Sequence, residues 1–276
     1  MPETVLQKTC CKTALSKTGI PGYNYCLNPY FGCAHGCLYC YADTVLRFFN
    51  RAEKWGEFVA AKENFPEVLR RELRRKRTPV GRVLLSAVTD AYQPAEAGLG
   101  LTRASLEVLT EERPDIELDL LTKSDLVVRD ADLLKELKNC SVGFTLTTPD
   151  DAAAGVLEPR AALPSARLRA AGRLVAEGIS VWAFIAPVLP GVSNAPEVLE
   201  ELIAVLSNAG VREVYLDSLN PYQAAVKRLR VAYRARFPHA LKHLERYLSN
   251  PREYLQPLRR RVEFLSRKYG YDLKLN

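Results

Sequence analysis

Three cysteines, Cys33, Cys37 and Cys40, stand within eight residues in the stretch "CAHGCLYCY". Thiolates are soft ligands that suit zinc and iron–sulfur clusters. A structural zinc site wants four ligands, and this Cys-x3-Cys-x2-Cys spacing supplies three. A fourth zinc ligand would have to come from His35, Cys26 or Cys11. A cluster of four irons on three thiolates instead leaves one iron free of protein, open to an external ligand as a catalytic metal must be. Gly32 and Gly36 let the loop wrap closely, because glycine tolerates positive φ and adds no side chain. Seven cysteines, an odd and clustered set, argue against a disulfide scaffold and for metal or redox chemistry.

Such a site needs a scaffold. Short β-rich segments recur, each followed by a helical pattern: "YNYCLN" ahead of the cysteines, then 83–90, 116–124, 141–148, 180–188 and 213–220. Their near-continuous apolar runs suit parallel strands buried on both faces. Amphipathic helices lie between them. One opens at "NFPEVLRREL", where Asn64 is placed to cap and Pro66 and Glu67 suit the first turn. Others run near 102–112, 130–138, 164–177 and 195–208. Six such units predict an α/β fold, a partial, three-quarter TIM-type barrel of six parallel βα units.

After residue 220 the strand signal stops. Leu255, Leu258, Val262, Leu265 and Tyr269 recur at spacings of three and four, which predicts a helical C-terminal extension. The expected boundaries are 1–23 for an N-terminal segment, 24–222 for the barrel and 223–276 for the extension. Parallel α/β folds bind ligands at the C-terminal ends of their strands. Thr89, Asp90, Thr122, Lys123, Thr147, Thr148, Asp217 and Asn220 fall at such ends, and the cysteines follow the first strand. All are expected at one mouth.

The chain has 276 residues, 47% of them hydrophobic, enough for a sizeable core. No apolar run reaches the length of a membrane span, and the first residues lack a signal-type apolar stretch. The expectation is a soluble, cytoplasmic protein with no membrane partner. Net charge is +7, concentrated in residues 225–276, which hold 14 Lys and Arg against 4 Asp and Glu. Such a bias reads as a solvated helical surface or as a seat for an anionic partner. Aromatics interleave with these cations: Tyr233, Phe237, Tyr247, Tyr254, Phe264, Tyr269 and Tyr271. They either stack on nucleic-acid bases or pack against their own domain.

The cysteine spacing after a first strand resembles the signature of the radical S-adenosylmethionine (SAM) enzymes. Within that superfamily the chain resembles the spore-photoproduct-lyase-like group, also called DNA-repair-photolyase-like proteins. The matching stretches are "LNPYFGCAHGCLYCYA", "VTDAYQPAEAGLGLTRASLEVL", "LLTKSDLVVRD", "FTLTT", "LEPRAALPSARLRA" and "FIAPVLPGVSN". The resemblance implies a [4Fe–4S] cluster on Cys33, Cys37 and Cys40, with S-adenosyl-L-methionine on the open iron. It implies an external one-electron donor, reductive cleavage of the cofactor to methionine and a 5′-deoxyadenosyl radical, and hydrogen abstraction from a substrate. Family analogy makes that substrate a nucleic acid, met through the basic C-terminal region.

The resemblance also assigns roles residue by residue. Tyr41 would lie against the cofactor, Thr89 would offer it a hydroxyl, and Lys123 in "TKS" would meet the methionine carboxylate as a compact point charge. Thr145 would lie near the ribose, and Ala186 in "IAP" would give backbone contacts. Each has a plainer reading: Tyr41 packs, Thr89 and Thr145 are ordinary strand threonines, and Lys123 pairs with Asp125. The pattern departs at Ala87. Spore photoproduct lyases carry there the cysteine that returns a hydrogen atom to the product radical. Cys10, Cys11 and Cys26 are other thiol sources, whereas Cys140 starts a strand at the far end and reads as a small buried hydrophobe.

Asp90 and Glu96 read as turn caps, with substrate or cofactor binding as the alternative. Glu158 and Arg167 read either as an internal ion pair holding a loop over the cofactor or as a solvated pair. A second functional class stays open at this level: a non-catalytic nucleic-acid-binding protein with a structural metal or cluster.

Overall fold

The structure is a computed structural model that describes residues 4–48 and 53–275. Its ten strands are β1 (Val5–Thr9), β2 (Ser16–Lys17), β3 (Tyr25–Leu27), β4 (Tyr30–Gly32), β5 (Phe58–Lys62), β6 (Arg82–Leu85), β7 (Glu117–Thr122), β8 (Asn139–Thr145), β9 (Ser180–Val188) and β10 (Glu213–Ser218). Strands β3, β6, β7, β8, β9 and β10 pair side by side in chain order, and every one of these pairs is parallel. Helices connect them, so the sheet is the expected six-unit partial barrel. The short β2 adds antiparallel to the free edge of β3.

One detail differs from expectation. The strands are not buried alike on both faces. Val83, Leu85, Leu118, Leu120, Val142, Phe144, Val181, Ala183, Ile185, Val214 and Leu216 form the fully buried, helix-covered side. The alternate set includes Ser141, Trp182, Phe184, Ala186 and Asp217, all partly exposed. Side chains alternate along a strand, and a barrel of six strands leaves its inner face within reach of solvent.

A second sheet, unforeseen in the sequence, orders its strands β1-β5-β4. Strand β1 runs parallel to β5, and β4 runs antiparallel to it. This sheet carries the start of the cysteine loop, because β4 ends at Gly32. The apolar run "FVAA" is short and isolated, and its partners lie far off in the chain. Nothing local marks it as a strand.

Helices Gln223–Arg236, Leu241–Ser249 and Pro251–Tyr269 form the C-terminal extension. The last packs on the helix Pro196–Asn208, where Glu200 takes both Arg261 and Lys268. Tyr271 OH donates to the Val211 carbonyl at 2.7 Å, and Tyr233 OH to the Pro190 carbonyl at 3.0 Å. Tyr233, Tyr247 and Tyr271 are buried. Of the seven interleaved aromatics only Phe264 is exposed, and Arg261 lies over its ring at 5.0 Å. The packing reading therefore holds for most of them. Among the described residues no helix is long and apolar enough to cross a membrane.

Candidate active site

The cysteine loop leaves β4 through Gly32, whose φ is +75°. A Cβ there would stand 2.4 Å from the Phe58 carbonyl oxygen on β5. The glycine is thus demanded by the neighbouring strand rather than by a bound group. At Gly36, φ +63°, a Cβ would meet the Cα of Gly56 at 3.3 Å, so the loop and the segment before β5 touch backbone to backbone.

Polar side chains hold the loop over the strand ends. Thr89 Oγ1 donates to the Gly32 carbonyl at 2.5 Å and accepts from Gln93 Nε2 at 3.1 Å. Gln93, wholly buried, also accepts from the Ala34 N–H at 2.8 Å. Asp90 accepts from Thr122 Oγ1 at 2.7 Å, the Lys123 N–H at 2.8 Å and the Tyr92 N–H at 2.9 Å. The last of these is the turn cap read from the sequence. Its other oxygen stands 3.4 Å from His35 Nδ1. Burial alone would raise this carboxyl, but His35 and the donors from Thr122 and Lys123 outweigh it and hold the group at about 2.

Glu96 is structural. It accepts from the Thr102 N–H at 2.9 Å and the Arg103 N–H at 3.2 Å, and it pairs with Arg129 at 2.7 Å. Ser86, between β6 and Ala87, has φ +80°, a left-handed conformation costly for a side chain, by about 1–3 kcal/mol. Its N–H reaches the Leu27 carbonyl at 3.0 Å and its Oγ accepts from the Ala91 N–H at 2.6 Å, which fixes the turn that presents Ala87 to Thr89.

Cys33 and Cys37 are buried and Cys40 half-buried. Burial pushes all three thiols up, Cys37 to about 12; Cys33 feels both Cys37 and Cys40, and Cys37 feels Cys40. They therefore face a common space as protonated thiols, and metal binding there must release protons. Among the described residues no three His, Cys, Asp or Glu side chains converge as ligands of a single ion. A cluster makes a different demand, since each thiolate takes its own iron. The donor set, three soft sulfurs around one space, fits a cluster.

Lys123 lies beside this space, its Nζ 5.8 Å from the centre of the Tyr39 ring. Burial would lower its pKa, but Cys37, Glu158 and Cys40 more than offset that and raise it. The ammonium keeps its charge. Below it, Glu158 and Arg167 form an ion pair with both side chains buried. Tyr39 OH also donates to Glu158, and Thr147 Oγ1 does so at 3.0 Å. Arg167 donates to the Ala162 carbonyl at 2.7 Å and the Thr145 carbonyl at 2.9 Å. This is the internal-pair reading, not the solvated one.

Thr145 is buried at the end of β8, and Ala186 sits half-exposed towards the end of β9. Tyr41 is exposed at the mouth. Its OH donates to the Ala87 carbonyl at 2.8 Å, and its ring lies 6.3 Å from that of Tyr222. Asp217 is half-buried, and burial raises its pKa; Asn220 is exposed just past β10. Cys10 is exposed, Cys26 is buried within β3, and Cys140 is half-buried at the start of β8, away from the mouth.

Two groups at the loop had no signal in the sequence. Gln93 reads there as one more turn residue. Arg228, on the helix Gln223–Arg236, reads as one of many solvated cations. In the structure it donates to the Leu38 carbonyl at 3.0 Å, the Cys40 carbonyl at 3.1 Å and Asp43 Oδ2 at 2.6 Å.

A family model described as the Radical SAM superfamily matches residues 27–203, more than half of the chain. An uncharacterised protein of Methanocaldococcus jannaschii is 34% identical over 194 residues, covering 70% of this chain and 71% of its own. An uncharacterised protein of Mycobacterium tuberculosis is 31% identical over 273 residues, covering 94% and 79%. Among solved structures, spore photoproduct lyase complexed with dinucleoside spore photoproduct superposes with a TM-score of 0.66 at 15% identity, over 98% of this chain and 82% of that one. In another structure of the lyase the match spans 66% of its length. Streptococcus suis SuiB bound to precursor peptide SuiA gives a TM-score of 0.56 at 14% identity, over 92% and 49%. At such identities these likenesses show the fold.

Proposed function

The chain belongs to the radical SAM superfamily, and on that premise we propose that it is an enzyme whose Cys33, Cys37 and Cys40 hold a [4Fe–4S] cluster. The observation that carries this reading is the meeting of buried Cys33 and Cys37 and half-buried Cys40 with Lys123 at the C-terminal mouth of a six-unit parallel barrel. When bound, cluster and S-adenosyl-L-methionine together supply one-electron cleavage of a carbon–sulfur bond and hydrogen abstraction from substrate, with the electron drawn from an external donor.

The chain's own residues bind, orient and exclude water. Lys123 offers a retained positive charge to the methionine carboxylate, and the buried Glu158–Arg167 pair fixes the floor beneath it. Thr89 and Gln93 pin the start of the cysteine loop, and Thr89 lines the place where a cofactor hydroxyl contact is expected. Thr145, at the end of β8, would lie near the ribose, and Ala186, towards the end of β9, would give backbone contacts. Tyr41 closes the mouth over Ala87. With alanine at that position, the chain has no thiol there to return a hydrogen atom, so its reaction does not end by that route.

The substrate we propose is a nucleic acid. Support comes from the outward cations of the extension, Lys227, Arg234, Arg259 and Arg260 among them, which are exposed. The lyase of like fold is seen with a dinucleoside photoproduct, and SuiB with a peptide. Anaerobically reconstituted protein, reduced in the presence of the cofactor, is expected to release 5′-deoxyadenosine and methionine. Its affinity for single- and double-stranded oligonucleotides is expected to fall steeply with salt. A cluster that never cleaves the cofactor sinks the enzyme reading. Cleavage stimulated by a peptide and not by any oligonucleotide sinks the substrate reading alone.

A further inference from the structure

The helix Gln223–Arg236 opens the C-terminal extension and shows solvent a basic face, yet Arg228 turns from that face into the cysteine loop. Its three bonds go to three points of one short stretch: the carbonyls of Leu38 and Cys40 and the carboxylate of Asp43. A guanidinium holds its donors in a rigid planar fork, so such a set fixes position in a way that an ammonium cannot. Asp43 is buried, and its Oδ1 has no hydrogen-bond partner among the described residues. Arg228 is the cation that compensates it.

We propose that Arg228 is a positioning residue: it clamps the third cysteine of the loop to the C-terminal extension and, balanced against Asp43, sets the reduction potential of the cluster. The proposal rests on the assignment of the cluster to Cys33, Cys37 and Cys40. Reduction adds one negative charge at the cluster. A fixed guanidinium behind the Cys40 carbonyl favours that state, and a bare Asp43 carboxylate opposes it. In a partly buried site of low effective dielectric both charges act strongly. Groups just outside the ligands tune a metal centre in this way.

The test uses full-length holoprotein of five kinds: wild type, Arg228→Gln, Arg228→Lys, Asp43→Asn and the double variant Arg228→Gln/Asp43→Asn. Each is reconstituted and titrated by potential under electron paramagnetic resonance, with iron content and thermal midpoint measured alongside. Arg228→Gln is expected to shift the midpoint potential negative, Asp43→Asn to shift it positive, and the double variant to fall between. Arg228→Lys is expected to stay near the wild-type potential but to broaden the spectrum, because the charge survives and the fork does not. Wild-type potential and line shape in Arg228→Gln overturn the proposal, as do shifts of the same sign in Arg228→Gln and Asp43→Asn. Should Arg228→Gln fail to fold, Asp43→Asn at the wild-type potential overturns it. A wild-type chain that takes up no cluster defeats the parent assignment, a result visible before any variant is compared.

Discussion

At the residue scale, the cysteines are readable because their identity and spacing are themselves the signal, and Thr89 and Lys123 because they fall at the C-terminal ends of strands. Asp90 is only half readable. As a turn cap it follows from its place before "AYQP", but its bonds to Thr122, the last residue of β7, and to Lys123 just beyond it cannot be seen locally. Its carboxyl is held near 2, below the ordinary value, so the charged form stabilises the fold. That contribution is complete above about pH 4 and is lost as pH falls through about 2. Asp90→Asn is accordingly expected to destabilise the protein by about 2 kcal/mol at neutral pH, with the gap to wild type closing between pH 4 and 2; denaturant unfolding at several pH values checks this. Lys123→Met keeps volume and removes charge. It is expected to leave iron content unchanged and to weaken cofactor binding about tenfold or more, read by equilibrium binding to the reconstituted protein. Unchanged affinity would return Lys123 to a purely structural role and favour a non-catalytic metal site.

At the element scale, six strands and most of the helices between them are legible because each carries its own pattern: an apolar run, then a 3.6-residue period. Apart from 180–188, which coincides with β9, the strand segments read from sequence overrun the observed ends; the residues past β6 and β7 are the turns that build the site. What is not legible is the small sheet β1-β5-β4, whose strands are held by distant partners rather than by composition. That sheet explains Gly32. Gly32→Ala would place a Cβ against the Phe58 carbonyl in a left-handed backbone. It is expected to cost about 1–3 kcal/mol and to lower iron retention after reconstitution, measured by thermal unfolding and iron assay. An alanine variant with full stability and full iron would mean that the loop does not depend on β5.

At the scale of the whole molecule, the C-terminal extension is more than a basic appendage. Its tyrosines are spent on packing, its last helix is locked to Glu200, and Arg228 reaches back to the cysteine loop. The charge bias in the sequence shows where cations cluster, but not which one turns inward, because that depends on how two segments far apart in the chain are docked. Barrel, loop and extension thus support one proposal: that the three cysteines hold a cluster with one iron open to S-adenosyl-L-methionine. The most direct measurement is electron paramagnetic resonance of the reduced, reconstituted protein before and after the cofactor is added. The expected result is a [4Fe–4S]⁺ signal whose g-values change on addition, because the cofactor binds the open iron. A signal that stays the same with cofactor present, or a chain that binds only zinc, would contradict it.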